Sequence, residues 1–451
     1  MKRALASLVI LLGSLGVACD VATSEGDSTS DKVTNIPSSS VLDQGQTGNC
    51  WLYATGAWAE SLHASATGET NLHFSPTYWD YWDWYDQILA GSTNVQFGGY
   101  WGRGVEIVRR YGLAPLGSLG GADDAALAVS ANAKINQALS NGTLNADDGG
   151  ALDPVKVLAA LDNAFDLTDE TKALFESTFG PDGKHTFADG AAANGFLVRA
   201  QDFDVTAFNA AGKSTAKLSD VIGEPVNDDM DQRSGALAWT GAYAPSTAGG
   251  TGFAIARPLP GQSARRAHAL VGDEDGGAPS DAAAVNDSDA GAPAIPAPDA
   301  AAWKGYTRRI QRALNDGAPL PIAWLVVFPD ADFAGHFRPT ITSTTSDQAG
   351  WHETLITDYE VTNVPGFGTL QAGAVASDAQ KAAALDDAAT VTFLRVKNSW
   401  GTASTGWAEP LAGYNDLDVS YLSGTVQLCD STNNCYYAAP SMFDAVLPPG
   451  Y

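Results

Sequence analysis

The sequence predicts an α+β fold with two lobes and large insertions. Apolar residues recur at helical spacing through much of the first half, whereas the last third contains three strand segments, one of them a continuous apolar run typical of a buried strand. The chain has 451 residues, of which 45% are hydrophobic, so it can bury a large core. Helical patterns followed by strand patterns indicate the α+β class.

The first 19 residues have the features of a signal peptide. Lys2 and Arg3 precede the apolar stretch ALASLVILL, and small residues precede Cys19. The stretch LGVAC resembles a bacterial lipobox, whose cysteine is acylated after cleavage, although Gly16 stands where that motif prefers leucine. We therefore expect an exported bacterial protein. It is either anchored to a membrane by a lipid on Cys19 or released into the periplasm or medium by cleavage of the signal peptide. The apolar stretch is too short to span a bilayer stably, so a membrane is expected as partner only through this lipid.

Charge and cysteine content narrow the classes of function. The formal net charge of −27 argues against nucleic-acid binding, which needs clustered Lys and Arg. Of the four cysteines, Cys429 and Cys435 bracket a short polar loop and should form a disulfide in an oxidising compartment. Cys50 remains as an odd thiol, which in an exported protein is a candidate reactive residue.

The chain divides into a leader, a tether and one large domain. Residues 20–40 are polar and without periodicity, which predicts a tether, and residues 41–451 form the folded domain. A large, mainly helical insertion is expected at about 116–302, with three helices between 123 and 180. Within it, residues 272–300 are of low complexity and predict a disordered surface segment.

Helices are predicted at four further places. One begins at Cys50, since Trp51, Ala54, Trp58 and Leu62 recur at helical spacing. The aromatic run PTYWDYWDWYDQI predicts a helix that packs tryptophans between lobes, with a sugar-binding platform as the alternative. The segment GGYWGRGVEIVRRYGLAP reads as a glycine turn and a helix, and WKGYTRRIQRALNDG as an amphipathic helix.

Three strands are predicted in the last third. PIAWLVVF has the continuous apolar character of a buried strand, and WHETLITDYEV and TVTFLRVKNSW follow it in the chain. His352 lies at the start of the second of these strands, and Asn398 at the end of the third.

The stretch DQGQTGNCWLYA suggests a nucleophile. A cysteine attacks as the thiolate, which a helix N-terminus and a neighbouring imidazolium both favour. Cys50 stands at the start of a predicted helix. It still needs a histidine, a polar group that orients that histidine, and a donor for the oxyanion. Gln44, six residues upstream, is a candidate for that donor.

These residues resemble the papain family of cysteine peptidases. The matching positions are Gln44 (oxyanion donor), Cys50 (nucleophile), Gly98 and Gly99 (the pair that binds extended substrate), His352 (base), Asn398 (orienting residue) and Trp400 (shield of the His–Asn bond). The order Gln, Cys, His, Asn and the run KNSWG carry the resemblance. It implies a helical lobe, a β-barrel lobe, a cleft between them, and no metal or organic cofactor.

One departure from the commoner family signature is self-consistent. Thr47 replaces the cysteine three residues before the nucleophile, and Gln96–Phe97 stands where its disulfide partner would lie. The stretches TGNCWLYA and GGYWGRGVEIVRRYGL look most like the bleomycin-hydrolase branch, which also lacks this disulfide. The resemblance covers residues 41–115 and 303–422.

The resemblance implies hydrolysis of peptide bonds in a peptide or protein substrate. Two alternatives stay open: a catalytically silent papain fold that binds a partner, which Trp351 and Glu353 beside the histidine favour, and an amidase acting on cell-wall peptides. His268, in AHALVG, is the rival base, but it precedes the amphipathic helix and the PIAWLVVF strand, whereas the base of the family comes after them. Substrate preference, endopeptidase or aminopeptidase mode, and oligomeric state are not predicted.

Overall fold

The computed structural model describes residues 33–120, 124–144, 152–185, 187, 196–222, 254–256, 300–402, 411–430, 432 and 435–451. The helices are α1 (Cys50–Thr67), α2 (Pro76–Leu89), α3 (Trp101–Tyr111), α4 (Asp124–Ser140), α5 (Pro154–Ala164), α6 (Asp169–Phe179), α7 (Leu218–Ile222), α8 (Ala300–Asn315), α9 (Asp378–Ala383) and α10 (Val419–Leu422). The strands are β1 (Asp204–Asn209), β2 (Gly212–Lys217), β3 (Ala254–Ala256), β4 (Leu320–Val327), β5 (His336–Phe337), β6 (Ser343–Thr345), β7 (Ala349–Val364), β8 (Gly368–Leu370), β9 (Thr390–Lys397), β10 (Tyr414–Asp418), β11 (Thr425–Cys429), β12 (Cys435–Pro440) and β13 (Met442–Leu447). The predicted α+β class is confirmed.

The helices that precede the sheet pack through aromatic side chains. Helix α2 begins after Ser75, whose hydroxyl accepts a hydrogen bond from the Tyr78 amide, and Pro76 occupies its first turn. Its three tryptophans are fully buried, and Trp82 stacks on Tyr111 of α3 with ring centroids 4.2 Å apart. The interpretation of this run as a packing helix is therefore confirmed, because buried indoles offer no platform to a sugar.

The main sheet has eight strands in the order β3-β13-β4-β7-β9-β10-β5, with β8 on β7. Its neighbours are antiparallel except for β10 and β5. The expected β-barrel is wrong for the part of the chain that the structure describes, because the two end strands do not pair with each other. The end strands β3 and β5 span only three and two residues, so they supply too few hydrogen bonds to close a barrel.

The three predicted strands are present as β4, β7 and β9, and the amphipathic helix is α8. Strands β11 and β12 form a hairpin. The predicted disulfide joins Cys429, the last residue of β11, to Cys435, the first residue of β12. A disulfide of this kind is consistent with maturation in an oxidising compartment.

The three helices predicted within the insertion are α4, α5 and α6. Asp153 and Thr168 cap α5 and α6 with their side chains, as their positions in the sequence indicate. The low-complexity segment lies outside the described residues, apart from Ala300, which begins α8.

The predicted tether requires a correction at its C-terminal end. Val33 and Ile36 are buried, and the amides of Val33 and Thr34 each donate to the Asp358 carboxylate at 3.2 Å. Residues 33–40 are therefore packed on the sheet, because their few apolar side chains find a long-range partner surface that local composition does not indicate. The leader, including Cys19, lies outside the described residues. Among the described helices, none is both long and apolar enough to cross a bilayer.

Candidate active site

The loop before α1 is joined to the turn after β9. The Gln44 amide donates to the Ser399 carbonyl at 2.7 Å, and the Gly401 amide donates to the Leu42 carbonyl at 3.1 Å. The Ser399 hydroxyl donates to Gln44 Oε1 at 2.5 Å. These bonds bring the segment that carries Gln44 and Cys50 to the segment that carries Asn398, although the two are far apart in the chain.

Cys50 is the first residue of α1 and lies outside the disulfide. Its side chain is buried, with 6% of the residue exposed. Helix α1 packs against β7, the strand that carries His352. The positive end of the helix dipole lies at Cys50 and favours the thiolate over the thiol.

His352 and Asn398 project from the same face of the sheet. Strands β7 and β9 are antiparallel and align Leu355 with Lys397. Because side chains alternate along a strand, Asn398 points to the face opposite that of Lys397. His352 lies three residues before Leu355 and therefore points to the same face as Asn398. His352 Nε2 and Asn398 Oδ1 are 2.7 Å apart and hydrogen-bonded.

A chain of amide groups orients Asn398. Asn415, on β10, donates from Nδ2 to the Gly335 carbonyl at 2.9 Å, and its Oδ1 accepts from Asn398 Nδ2 at 2.7 Å. Asn398 Oδ1 is then turned towards His352, where it also accepts from the Ser399 amide at 2.7 Å. Since Oδ1 only accepts, His352 Nε2 must carry the proton, and Nδ1 is the basic nitrogen.

Aromatic rings enclose His352. The Trp400 ring stacks on the imidazole with centroids 4.7 Å apart and planes 19° from parallel, and Trp324 of β4 meets its edge at 5.8 Å. Burial lowers the pKa of His352 to about 4, and the hydrogen bond that His352 donates to Asn398 offsets part of this effect. The imidazole is therefore neutral at pH 7 and can accept a proton at Nδ1.

The Gln44 side chain has a fixed orientation. Its Oε1 accepts from Ser399 Oγ, so its Nε2 is the end that can donate. One of the two N–H groups of Nε2 donates to the Thr47 carbonyl. The other is the group that could stabilise an oxyanion formed near Cys50.

The glycine pair lies beside the residue that follows Cys50. Trp51 Nε1 donates to the Phe97 carbonyl at 2.6 Å, immediately before the pair. A Cβ atom on Gly99 would lie 2.4 Å from the Trp51 ring, so only glycine fits there. Gly98 is exposed, and its backbone is accessible to a substrate.

Glu353, which departs from the family pattern, points away from His352 as strand alternation predicts. It lines a cavity between α1 and the sheet, whose walls include Tyr53, Ala57, Glu60, Lys397 and Asn398. Two further buried charges lie there: Lys397 Nζ donates to Ser39 Oγ at 2.9 Å, and Ser39 Oγ donates to the Glu60 carboxylate. Trp351 is half-buried and packs against the core.

Three other histidines have partners other than Asn398. His63 contacts the Asp204 carbonyl, His73 contacts Glu60, and His336 contacts Asp416. His268, the rival base, lies outside the described residues. In the described ranges, no three His, Cys, Asp or Glu side chains are grouped so as to hold a metal ion.

Two residues of the site, Asn415 and Trp324, are not predicted by the sequence. Neither lies in a recognisable motif, and each reaches the site only through strand pairing. Ser399 is part of KNSWG, but the sequence gives no sign of its bond to Gln44.

Comparison with known proteins gives structural likeness only. No family model matches the chain, and no curated protein matches it. PepW from Lactobacillus rhamnosis hn001 aligns with 93% of this chain and 82% of its own, at 12% identity and a TM-score of 0.42. Xylellain, a cysteine protease from Xylella fastidiosa, aligns with 93% of this chain and 86% of its own, at 10% identity and a TM-score of 0.34.

Proposed function

We propose that this protein is an exported cysteine peptidase that cleaves peptide bonds through Cys50, His352 and Asn398. The observation that carries the proposal is the 2.7 Å bond between His352 Nε2 and an Asn398 amide whose orientation is fixed by Asn415. This bond leaves Nδ1 as a base, which is what a thiol nucleophile requires. The packing of α1 on β7 and the link from Gln44 to Ser399 supply the rest of the support.

Each residue has one role in the reaction. His352 Nδ1 takes the thiol proton while Cys50 Sγ attacks the carbonyl carbon, and the oxyanion receives N–H groups from Gln44 and the Cys50 backbone. The tetrahedral intermediate expels the amine, which takes the proton from the imidazolium, and leaves a thioester. Water then attacks the thioester, its proton passes to His352, and the thiolate leaves to release a carboxylic acid.

The test is labelling and turnover of the purified protein. A peptidyl epoxide should label Cys50 in a 1:1 ratio, and casein should be cleaved; Cys50→Ser should lose both. His352→Ala should abolish turnover, whereas His268→Ala should not. If His268→Ala abolishes turnover and His352→Ala does not, the site must be rebuilt around His268.

The substrate class is tested in the same way. Cleavage of peptidoglycan fragments but not casein would indicate the cell-wall amidase. No cleavage of either, together with Cys50 alkylation at the rate of an ordinary thiol, would indicate a silent binding protein. The orientation of Glu353 away from His352 removes one of the two features that favoured this silent alternative.

The export route is part of the proposal. If Cys19 carries a lipid, the protein expressed in a bacterial host should be in the membrane fraction and take up lipid label, and Cys19→Ser should lose both properties. A wild-type protein that is soluble and unlabelled would indicate release by plain signal-peptide cleavage.

A further inference from the structure

Asn49, the residue before the nucleophile, uses its side chain in an unusual way. It is the N-cap of α1, and its carbonyl accepts from the Leu52 amide at 2.9 Å. An N-cap asparagine ordinarily accepts a hydrogen bond from a first-turn amide with its side chain, but here that bond is absent. Instead, Asn49 Nδ2 donates to Asp80 Oδ2 on α2 at 2.8 Å.

The other end of the Asn49 amide, Oδ1, is linked through Thr47 to Gln44, the oxyanion donor. Thr47 Oγ1 lies within hydrogen-bond distance of Asn49 Oδ1 and 2.6 Å from the Gln44 carbonyl, and it can donate to one of them. The Thr47 carbonyl accepts from Gln44 Nε2. A continuous path of polar contacts therefore runs from Asp80 through Asn49 and Thr47 to Gln44.

Asp80 is fully buried, and in the described chain its second oxygen, Oδ1, has no hydrogen-bond partner. The ionisable groups around it are the carboxyls of Asp83 and Asp124 and the guanidinium of Arg103, which is paired with Asp83. Burial raises the pKa of Asp80 well above its usual range, and the neighbouring carboxyls of Asp83 and Asp124 act in the same direction.

We propose that Asp80 is a positioning residue, which holds the loop of residues 43–49 through Asn49 and so places Gln44 and the first turn of α1. This loop anchor rests on the proposed peptidase function for its effect on catalysis. Thr47 stands where the resembled family has a disulfide cysteine, and the anchor joins the loop to α2 without one. Because the Asn49 side chain is bonded to Asp80, it does not cap the first turn of α1.

The test compares three variants of the full chain. Asp80→Ala removes the acceptor for Asn49, and Asp80→Asn keeps an uncharged acceptor of the same shape. The control, Asp86→Ala, removes another mostly buried carboxyl of α2, which contacts Arg110 and Tyr111 rather than the loop. The readouts are amide hydrogen exchange of residues 43–49, and kcat and KM for peptide cleavage.

Asp80→Ala should speed exchange in the loop and lower kcat by about 10²-fold, because a misplaced donor loses most of its effect on the transition state. KM should stay within about twofold, since the ground-state contacts of the substrate are not removed. Asp80→Asn should restore both readouts. Asp86→Ala should reduce stability without altering either.

The inference would be overturned if the loop amides of Asp80→Ala exchange as slowly as those of the wild-type protein. It would also be overturned if loop exchange and kcat in Asp80→Asn are changed as much as in Asp80→Ala. The exchange measurement does not require turnover. If the wild-type protein cleaves nothing but Asp80→Ala still loosens the loop, the proposed function fails and the anchoring role of Asp80 holds.

Discussion

Asn398 and Asn415 meet across two adjacent strands, and their amides are joined by a hydrogen bond of 2.7 Å from Nδ2 to Oδ1. Asn415 is fully buried and its own Nδ2 is committed to the Gly335 carbonyl, so its amide cannot be reversed without losing that bond. The direction of this one bond decides which end of Asn398 faces His352, and therefore which imidazole nitrogen is basic.

Asn415→Leu should impair catalysis although the residue does not contact substrate. Without Asn415, the Asn398 amide loses its acceptor and can rotate, and Gly335 loses a donor. We expect a loss of about 1–3 kcal/mol in the free energy of unfolding, as for a buried polar group left unpaired. The fall in kcat should be about 10²-fold, as for a misplaced catalytic group. Denaturant unfolding and steady-state kinetics measure the two effects, and a variant with wild-type kcat would contradict the orienting role.

The pKa of His352 predicts a specific pH dependence of stability. Its folded value is about 4, against an ordinary value of 6.5, so the unfolded state binds more protons between these pH values. The free energy of unfolding should therefore fall as the pH drops from about 6.5 to 4, by about 3 kcal/mol in total. His352→Gln should lack this contribution. Urea unfolding of both proteins at pH 7.5 and 4 isolates it, because other titrating groups are common to both; equal pH dependence would refute the low pKa.

Gly99→Ala should strain the start of α1. The added Cβ would lie 2.4 Å from the buried Trp51 ring, whose Nε1 is fixed on the Phe97 carbonyl. We expect overpacking to lower the free energy of unfolding by about 1–3 kcal/mol. Activity should also fall, because Trp51 adjoins Cys50. Gly305→Ala is the matched control, since a Cβ there meets nothing within 4 Å and α8 should gain up to about 1 kcal/mol. Thermal and denaturant unfolding compare the two variants.

The buried charges behind the site should be strongly coupled. Burial alone would raise the pKa of Glu60, but hydrogen bonds from His73 and Ser39 and the charge of Lys397 hold it below its usual value. Glu60→Gln removes the negative charge that faces the buried Lys397 ammonium. The free energy of unfolding should fall by about 3–5 kcal/mol. In the double variant Glu60→Gln/Lys397→Met, the loss in the free energy of unfolding should be smaller than the sum of the losses in the two single variants.

A control for this cycle is the more exposed pair of Glu106 and Arg109 on α3. Glu106→Gln should change the free energy of unfolding by no more than about 0.5 kcal/mol, as for other i,i+3 pairs near a helix surface. Additive losses for Glu60 and Lys397 would show that the two charges act independently.

The disulfide should stabilise the hairpin only modestly. Cys429 and Cys435 are six residues apart, and closing so short a loop is worth about 2 kcal/mol in the chain-entropy description. Cys429→Ser/Cys435→Ser should lower the free energy of unfolding by that amount and leave peptide cleavage intact. Mass spectrometry of unreduced peptides should show this pair joined, and a bridge that includes Cys50 would contradict the proposed nucleophile.

The helices and central strands could be predicted from the sequence because their signals are local. Periodicity marked α1, α2 and α8, a continuous apolar run marked β4, and two further strand segments marked β7 and β9. Gln44, Cys50 and Asn398 were candidate site residues for the same reason, since each lies in a short motif, whereas His352 was chosen over His268 by the order of elements along the chain. These are properties of neighbouring residues, which the sequence determines by itself.

Tertiary structure alone decided the features that join distant segments. Asn415 orients Asn398 through strand pairing, Asp80 reaches Asn49 through the packing of α2 on α1, and residues 33–40 pack on a sheet some 320 residues further along the chain. The open sheet also depends on which strands meet at its ends. Such contacts leave no periodic or compositional mark, because one hydrogen bond between remote residues constrains only a single side chain in each segment.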